Sequence, residues 1–257
     1  EGAARQAVRV SPQSRALAMA RLSLLQGTMP DNSTLAPDVA RSDPGYIYNL
    51  VRHYRTSRQM PQAIALLTSR SSFEQPAFDP EAMIGEMLSV ARGASPGQAA
   101  QIAASVDDLF APGFDVSTGS YRLRDDYTSL VWLGGTSALW DLGDGRRAAP
   151  LFYRYGAAAQ TPQTRSKGFY WAGLAAKRAG MTDEANRYYE MAAEYADRFY
   201  GQLALKELGR PVPKLAADSL TVPTPEARQA FASQPIVAAV REVARDAPWR
   251  TGIQFYR

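Results

Sequence analysis

A chain of 257 residues, 46% of them hydrophobic, is long enough to bury one large core or two medium ones, so a folded protein is expected. Its formal charge of +4 comes from 29 basic and 25 acidic residues that are interspersed rather than gathered into runs, which argues against a nucleic-acid binder. The absence of cysteine excludes disulfides, thiol catalysis and cysteine-based metal sites.

From its first residue, Glu1, the chain shows no signal-type apolar segment, and nowhere does it approach the ~18 uninterrupted apolar residues that span a bilayer. A processed, exported protein without a transmembrane segment is the expectation. The run Arg15-Ala-Leu-Ala-Met-Ala-Arg-Leu-Ser-Leu-Leu25 spaces its apolar residues by three and four, which predicts a helix that Gly27 stops. Met29 to Pro44 reads as a connector. Helices are predicted over 45–56 and 60–69, then, after a Ser71–Pro80 loop, over 80–92, 96–106, 124–142, 145–159, 164–179, 183–195 and 197–208. The run Gly209-Arg-Pro-Val-Pro-Lys214, leading to Pro223 and Pro225, reads as a second connector before helices at 225–231 and 235–245. Strand signals are scarce, and an all-α fold is expected, with an N-terminal helical segment at 1–44, a helical-repeat region at 45–210, and a connector with the first linker helices at 211–257.

An internal repeat organises the second half. Laying Trp132-Leu-Gly-Gly-Thr-Ser-Ala-Leu-Trp-Asp-Leu-Gly143 over Phe169-Tyr-Trp-Ala-Gly-Leu-Ala-Ala-Lys-Arg-Ala-Gly180, an offset of 37, aligns Gly143 with Gly180, Ala148 with Ala185 and Phe152 with Tyr189. A Gly ends one helix in a left-handed conformation, a small Ala lets two helices cross closely, and an aromatic residue fills the gap between them. This tetratricopeptide-like pattern has a weaker echo at Ala63 and Leu67, with Arg58 where the Gly would stand. One such unit cannot bury its own apolar face, so stacked units forming a superhelical array of hairpins are expected.

Chemistry-bearing groups are sparse. His53 is the only histidine, and with no nucleophile-elbow sequence nearby it reads as a helix-surface or packing residue. Asp107–Asp108 and Asp125–Asp126 are chain neighbours, which point about 100° apart on a helix, so helix-end solvation or capping is expected instead of paired acid–base chemistry. Asp141-Leu-Gly-Asp-Gly145 lacks the ligand alternation of a calcium loop and reads as an inter-helix turn, and Gly134-Gly135-Thr136 follows no strand and reads as tight helix packing. Neither a catalytic residue nor a cofactor or metal site is expected. The aromatic series Tyr153, Tyr155, Phe169, Tyr170, Trp171, Tyr188, Tyr189, Tyr195, Phe199 and Tyr200 is dense enough for a sugar-stacking or peptide groove, although repeat spacing places most of it in the core. Only four of the basic residues are lysines (Lys167, Lys177, Lys206, Lys214), and an arginine-rich surface suits carboxylate partners as well as reflecting gene composition. Arg147, Arg154, Arg165 and Lys167 are the candidate contacts for such a partner, against a reading as solvated surface charge.

Gly168-Phe-Tyr-Trp-Ala-Gly-Leu-Ala-Ala-Lys-Arg-Ala-Gly180, Ala185-Asn-Arg-Tyr-Tyr-Glu-Met-Ala-Ala193 and above all Phe199-Tyr-Gly-Gln-Leu-Ala204 resemble the superhelical domain of the soluble lytic murein transglycosylases. The resemblance implies an Ala-rich helical scaffold preceding a lysozyme-like domain, in which a single Glu cleaves the MurNAc–GlcNAc bond of peptidoglycan with formation of a 1,6-anhydro sugar. That Glu lies in a Glu-Ser motif followed by Gly-Leu-Met-Gln, and neither motif occurs here. The resemblance therefore implies a non-catalytic, periplasmic scaffold, inactive alone, with peptidoglycan glycan strands and a catalytic domain in cis as partners. A free-standing tetratricopeptide-type protein-interaction module is the alternative.

Overall fold

The structure is a computed structural model that describes residues 2–7, 9–31, 35–214 and 223–255. Among these residues the regular structure is entirely helical. The chain forms two compact units, Glu1–Pro213 and Lys214–Arg257. The first holds α1 (Gly2–Ala7), α2 (Pro12–Leu25), α3 (Pro37–Ser42), α4 (Pro44–Thr56), α5 (Met60–Ser69), α6 (Pro80–Ala91) and α7 (Pro96–Ala104). It continues through α8 (Tyr121–Thr136), α9 (Gly145–Ala158), α10 (Pro162–Arg178), α11 (Thr182–Ala193) and α12 (Phe199–Glu207). The second unit holds α13 (Pro225–Ala232), α14 (Pro235–Asp246) and α15 (Trp249–Phe255).

Helix starts follow from local chemistry. Pro12, Pro37, Pro44, Pro80, Pro96, Pro162, Pro225 and Pro235 each occupy a first helical position, where a missing N–H costs nothing. Ser11, Asp43, Asp79, Ser120, Asp144, Thr161 and Thr224 accept an amide hydrogen from the residue three further on, a cap worth about 1 kcal/mol each. Most predicted helices appear within a few residues of their expected ends. The exceptions are α1 and α15, which the periodicity missed, and α3, which lies inside the stretch expected as a connector and is built on Pro37.

Among the described residues of the first unit, each substantial helix–helix contact joins helices one or two apart in chain order. Bidentate ion pairs reinforce the next-neighbour contacts. Arg21 on α2 grips Asp43, the cap of α4, and Arg55 on α4 donates to Glu86 on α6 at 2.5 and 2.9 Å. Two apolar clusters result. One gathers Ile47, Val51, Met83, Met87, Ile102, Leu109 and Leu130, and the other gathers Leu139, Phe152, Phe169, Ala176, Ala185, Tyr189 and Ala192.

The repeat register is visible in the backbone. Gly143 and Gly180 adopt φ of 66° and 73°, and Arg58 is the one described non-glycine residue with positive φ, at 60°. Five residues beyond each stand the fully buried Ala148, Ala185 and Ala63, and nine beyond stand the buried Phe152, Tyr189 and Leu67. The helix-ending hydrogen bond reaches five residues back at two of the three turns, from Gln59 to Tyr54 and from Met181 to Ala176. At the third it reaches six back, from Asp144 to Ala138, because Ser137–Asp141 is a π-helical segment that takes up one extra residue. The predicted helix 124–142 is therefore α8 followed by a π turn. The extra residue also corrects the alignment: upstream of it the offset is 38, so that Val131 matches Phe169, both buried, and Trp132 matches Tyr170, both half-buried. Gly135 and Gly173 then occupy equivalent places, and a Cβ on either would meet the aromatic ring of the following helix, Phe152 or Tyr189.

Candidate functional site

The four cationic residues singled out from the sequence have separate fates. Arg147 is exposed, and its backbone amide, rather than its guanidinium, takes part in the Asp144 cap. Arg154 bonds the Ala104 carbonyl at 3.1 Å and pairs with Asp107 at 2.9 Å, tying α9 to the end of α7 and the turn beyond it. Arg165 donates to Tyr195 Oη at 2.8 Å and to the carbonyls of Ala157 and Ala159 at 3.3 and 3.0 Å, fastening the first turn of α10 to the end of α9 and to the chain after α11. Lys167 alone meets a different environment. Its Nζ lies 3.6 Å from the Trp132 ring centroid and 5.1 Å from that of Tyr155, and it donates to Tyr155 Oη at 3.5 Å. No two of the four share a hydrogen bond, an ion pair or a ring.

Around Lys167 the aromatic rings form a continuous strip borne mainly by alternate helices. Trp132 on α8 lies 4.8 Å from Tyr155 and 6.3 Å from Trp171 on α10. Trp140, lifted to 49% exposure on the π segment, meets Trp171 at 5.1 Å. Tyr170, beside Trp171, reaches Tyr200 on α12 at 5.6 Å, and Tyr200 abuts the exposed Phe199 at 5.1 Å. Next to Tyr155 the strip opens into a polar hollow of about 220 Å³, lined among others by Arg124, Asp125, Thr128, Gln160 and Thr164. Thr128 precedes Trp132, and Thr164 precedes Lys167, by one helical turn, so the hollow prolongs the strip along α8 and α10.

Electrostatically the strip is cationic and partly dry. Burial pushes the Lys167 ammonium below its ordinary range, and among the described residues no carboxylate lies within ion-pairing distance of it. Burial also raises Tyr155, with Tyr200 adding to the effect, and raises Tyr170. The Trp171 indole N–H is buried with no acceptor among the described residues. Its neighbour in sequence pattern, Tyr188, lies outside the strip: it donates to Glu184 at 2.9 Å and pairs with the exposed Tyr153, its hydroxyl pushed up to about 12 by burial and then by that hydrogen bond.

A larger cleft, of about 650 Å³, lies between the 73–76 loop, residues 107–116 and the facing sides of α8 and α9. Its Tyr127, Arg154, Asp107 and Asp108 side chains are already paired. Tyr127 Oη donates to Asp107 at 2.7 Å while Arg154 grips the other oxygen, and Asp108 holds Arg70 at 2.7 and 2.9 Å. Asp107 and Asp108 thus diverge onto different arginines and serve in ion pairs, where helix-end solvation or capping was expected. His53 sits half-exposed on the last turn of α4, and Asp144, within the stretch read as an inter-helix turn, caps α9. Among the described residues no three His, Asp or Glu side chains gather as a metal-holding group.

Sequence reasoning named Tyr155, Tyr170, Trp171, Phe199 and Tyr200 but missed Trp132 and Trp140. Their signal is a tryptophan on each side of a glycine pair in a segment whose spacing to its Gly stop is one residue longer than in the next repeat. No known protein family, curated protein or solved structure matches the chain.

Proposed function

We propose that this chain is the non-catalytic, tetratricopeptide-like superhelical scaffold of a periplasmic peptidoglycan lytic transglycosylase, and that it holds glycan strands on the face carrying Trp132, Trp140, Trp171 and Lys167. The observation that carries this reading is the aromatic strip running across α8, α10 and α12 beside a polar hollow. Sugar rings present apolar C–H faces to aromatic planes and hydroxyls to flanking polar groups, and a linear glycan needs such a surface repeated along its length. The recurring register at Arg58, Gly143 and Gly180, with contacts confined to near neighbours, supports a stacked array as the support for that surface. Cleavage of the MurNAc–GlcNAc bond belongs to a catalytic domain in cis, since the Glu-Ser and Gly-Leu-Met-Gln motifs are missing from these 257 residues.

Co-sedimentation with purified peptidoglycan sacculi tests the reading. The protein is expected in the pellet, and Trp140→Ala is expected to shift it towards the supernatant without loss of helical signal. Wild-type protein that stays in the supernatant sinks the proposal, as does muropeptide release by this chain alone.

A further inference from the structure

Lys167 sits in an arrangement that is incomplete by itself. A lysine ammonium over an indole face is attracted by the ring, but that attraction does not equal the hydration or counter-ion it gives up on partial burial. Its neighbours Trp132 and Tyr155 fix its position, while the acceptor it reaches is a phenol oxygen 3.5 Å away, at the limit of a hydrogen bond. The other half-buried basic side chains of the repeat region do have partners: Arg154 has Asp107 and Arg165 has Tyr195 and two carbonyls. Lys167 is therefore positioned by two rings, half-buried, and without a carboxylate partner among the described residues.

We infer that Lys167 makes the aromatic face selective for acidic glycans, receiving the carboxylate of one sugar while adjoining rings stack along Trp140, Trp171 and Tyr170. The inference rests on the glycan-binding reading above and adds to it the charge of the ligand. A glycan fits better than an acidic peptide because beyond Trp132 the rings continue through Trp171 to Trp140 and to Tyr170, Tyr200 and Phe199, while on the other side the hollow beside Tyr155 offers hydroxyl, amide and carboxylate partners suited to sugar hydroxyls. Since only the protonated amine attracts a carboxylate, and burial eases its deprotonation, the selectivity fades as pH rises through the lowered Lys167 range while stacking persists.

Calorimetric titration of the intact chain with two probes decides the matter: neutral chitotetraose, and a tetrasaccharide of alternating GlcNAc and carboxylate-bearing MurNAc. The acidic probe is expected to bind about tenfold more tightly, as one charge-assisted contact gives. Lys167→Met is expected to erase that preference, read as the ratio of the two affinities in the same variant, and Lys167→Arg to keep most of it. Equal affinity of the wild type for the two probes overturns the charge selectivity but leaves the glycan reading standing, and so does a preference that survives in Lys167→Met. If neither probe binds, both the glycan reading and this inference fall.

Discussion

Arg58 occupies the place that Gly143 and Gly180 fill elsewhere, at φ 60°, with its side chain exposed. The left-handed conformation costs a residue with a Cβ about 1–2 kcal/mol, partly offset because glycine loses more freedom on folding. Arg58→Gly is therefore expected to stabilise the protein by up to about 1 kcal/mol, and Gly180→Ala to destabilise it by a similar amount, both read from urea unfolding midpoints. A neutral or destabilising Arg58→Gly would show that the side chain contributes more than the backbone strain removes. This register was legible in the sequence, because the spacing of five to Ala and nine to a large apolar residue survives even where the glycine does not. Lys167 was legible only as a cation. Its partner Trp132 lies on a helix two places earlier, and no periodicity within α10 reports what a side chain meets across the interface.

At the level of elements, helix starts were readable because proline and a capping Ser, Thr or Asp act within four residues of each other. The π segment was not, since one inserted residue leaves the apolar pattern of 124–142 intact and reveals itself only when two repeats are compared for burial. The insertion places Trp140 at the surface against Trp171, where the next repeat has the exposed Lys177, paired to Glu207 at 2.7 Å. Deleting Trp140 should restore the Gly173-to-Gly180 spacing, shorten the helix-ending bond from six residues to five, and let α8 run on as a regular helix. Because the adjoining repeat already folds at that spacing, the deletion is expected to cost only about 1–2 kcal/mol, within the ordinary range for a single change. Circular dichroism and thermal unfolding check this, and loss of cooperative unfolding would mean that the π turn is needed for the fold itself.

Across the first unit, stability is built from neighbour contacts, and that has a consequence for how damage spreads. α9 makes substantial contacts with α7, α8 and α10 but not with α2, α4 or α5, and Phe152, fully buried, stands at its centre against the Gly135 gap and the Trp132 and Trp140 rings. Phe152→Ala removes about 3–5 kcal/mol of packing at one point. In a fold whose elements all share one core, that loss would be felt everywhere at once. In the stacked array proposed above it would be felt first by the helices that touch the cavity and would decay along the chain as intact interfaces intervene. Hydrogen exchange of the variant is therefore expected to accelerate most in α8, α9 and α10, whereas α4 and α5, held by Ile47, Val51, Ala63 and Leu67 in the other apolar cluster, stay closest to wild type. A uniform acceleration from α4 to α12 would show a single cooperative unit and remove the neighbour-limited architecture on which the stacked-array reading depends.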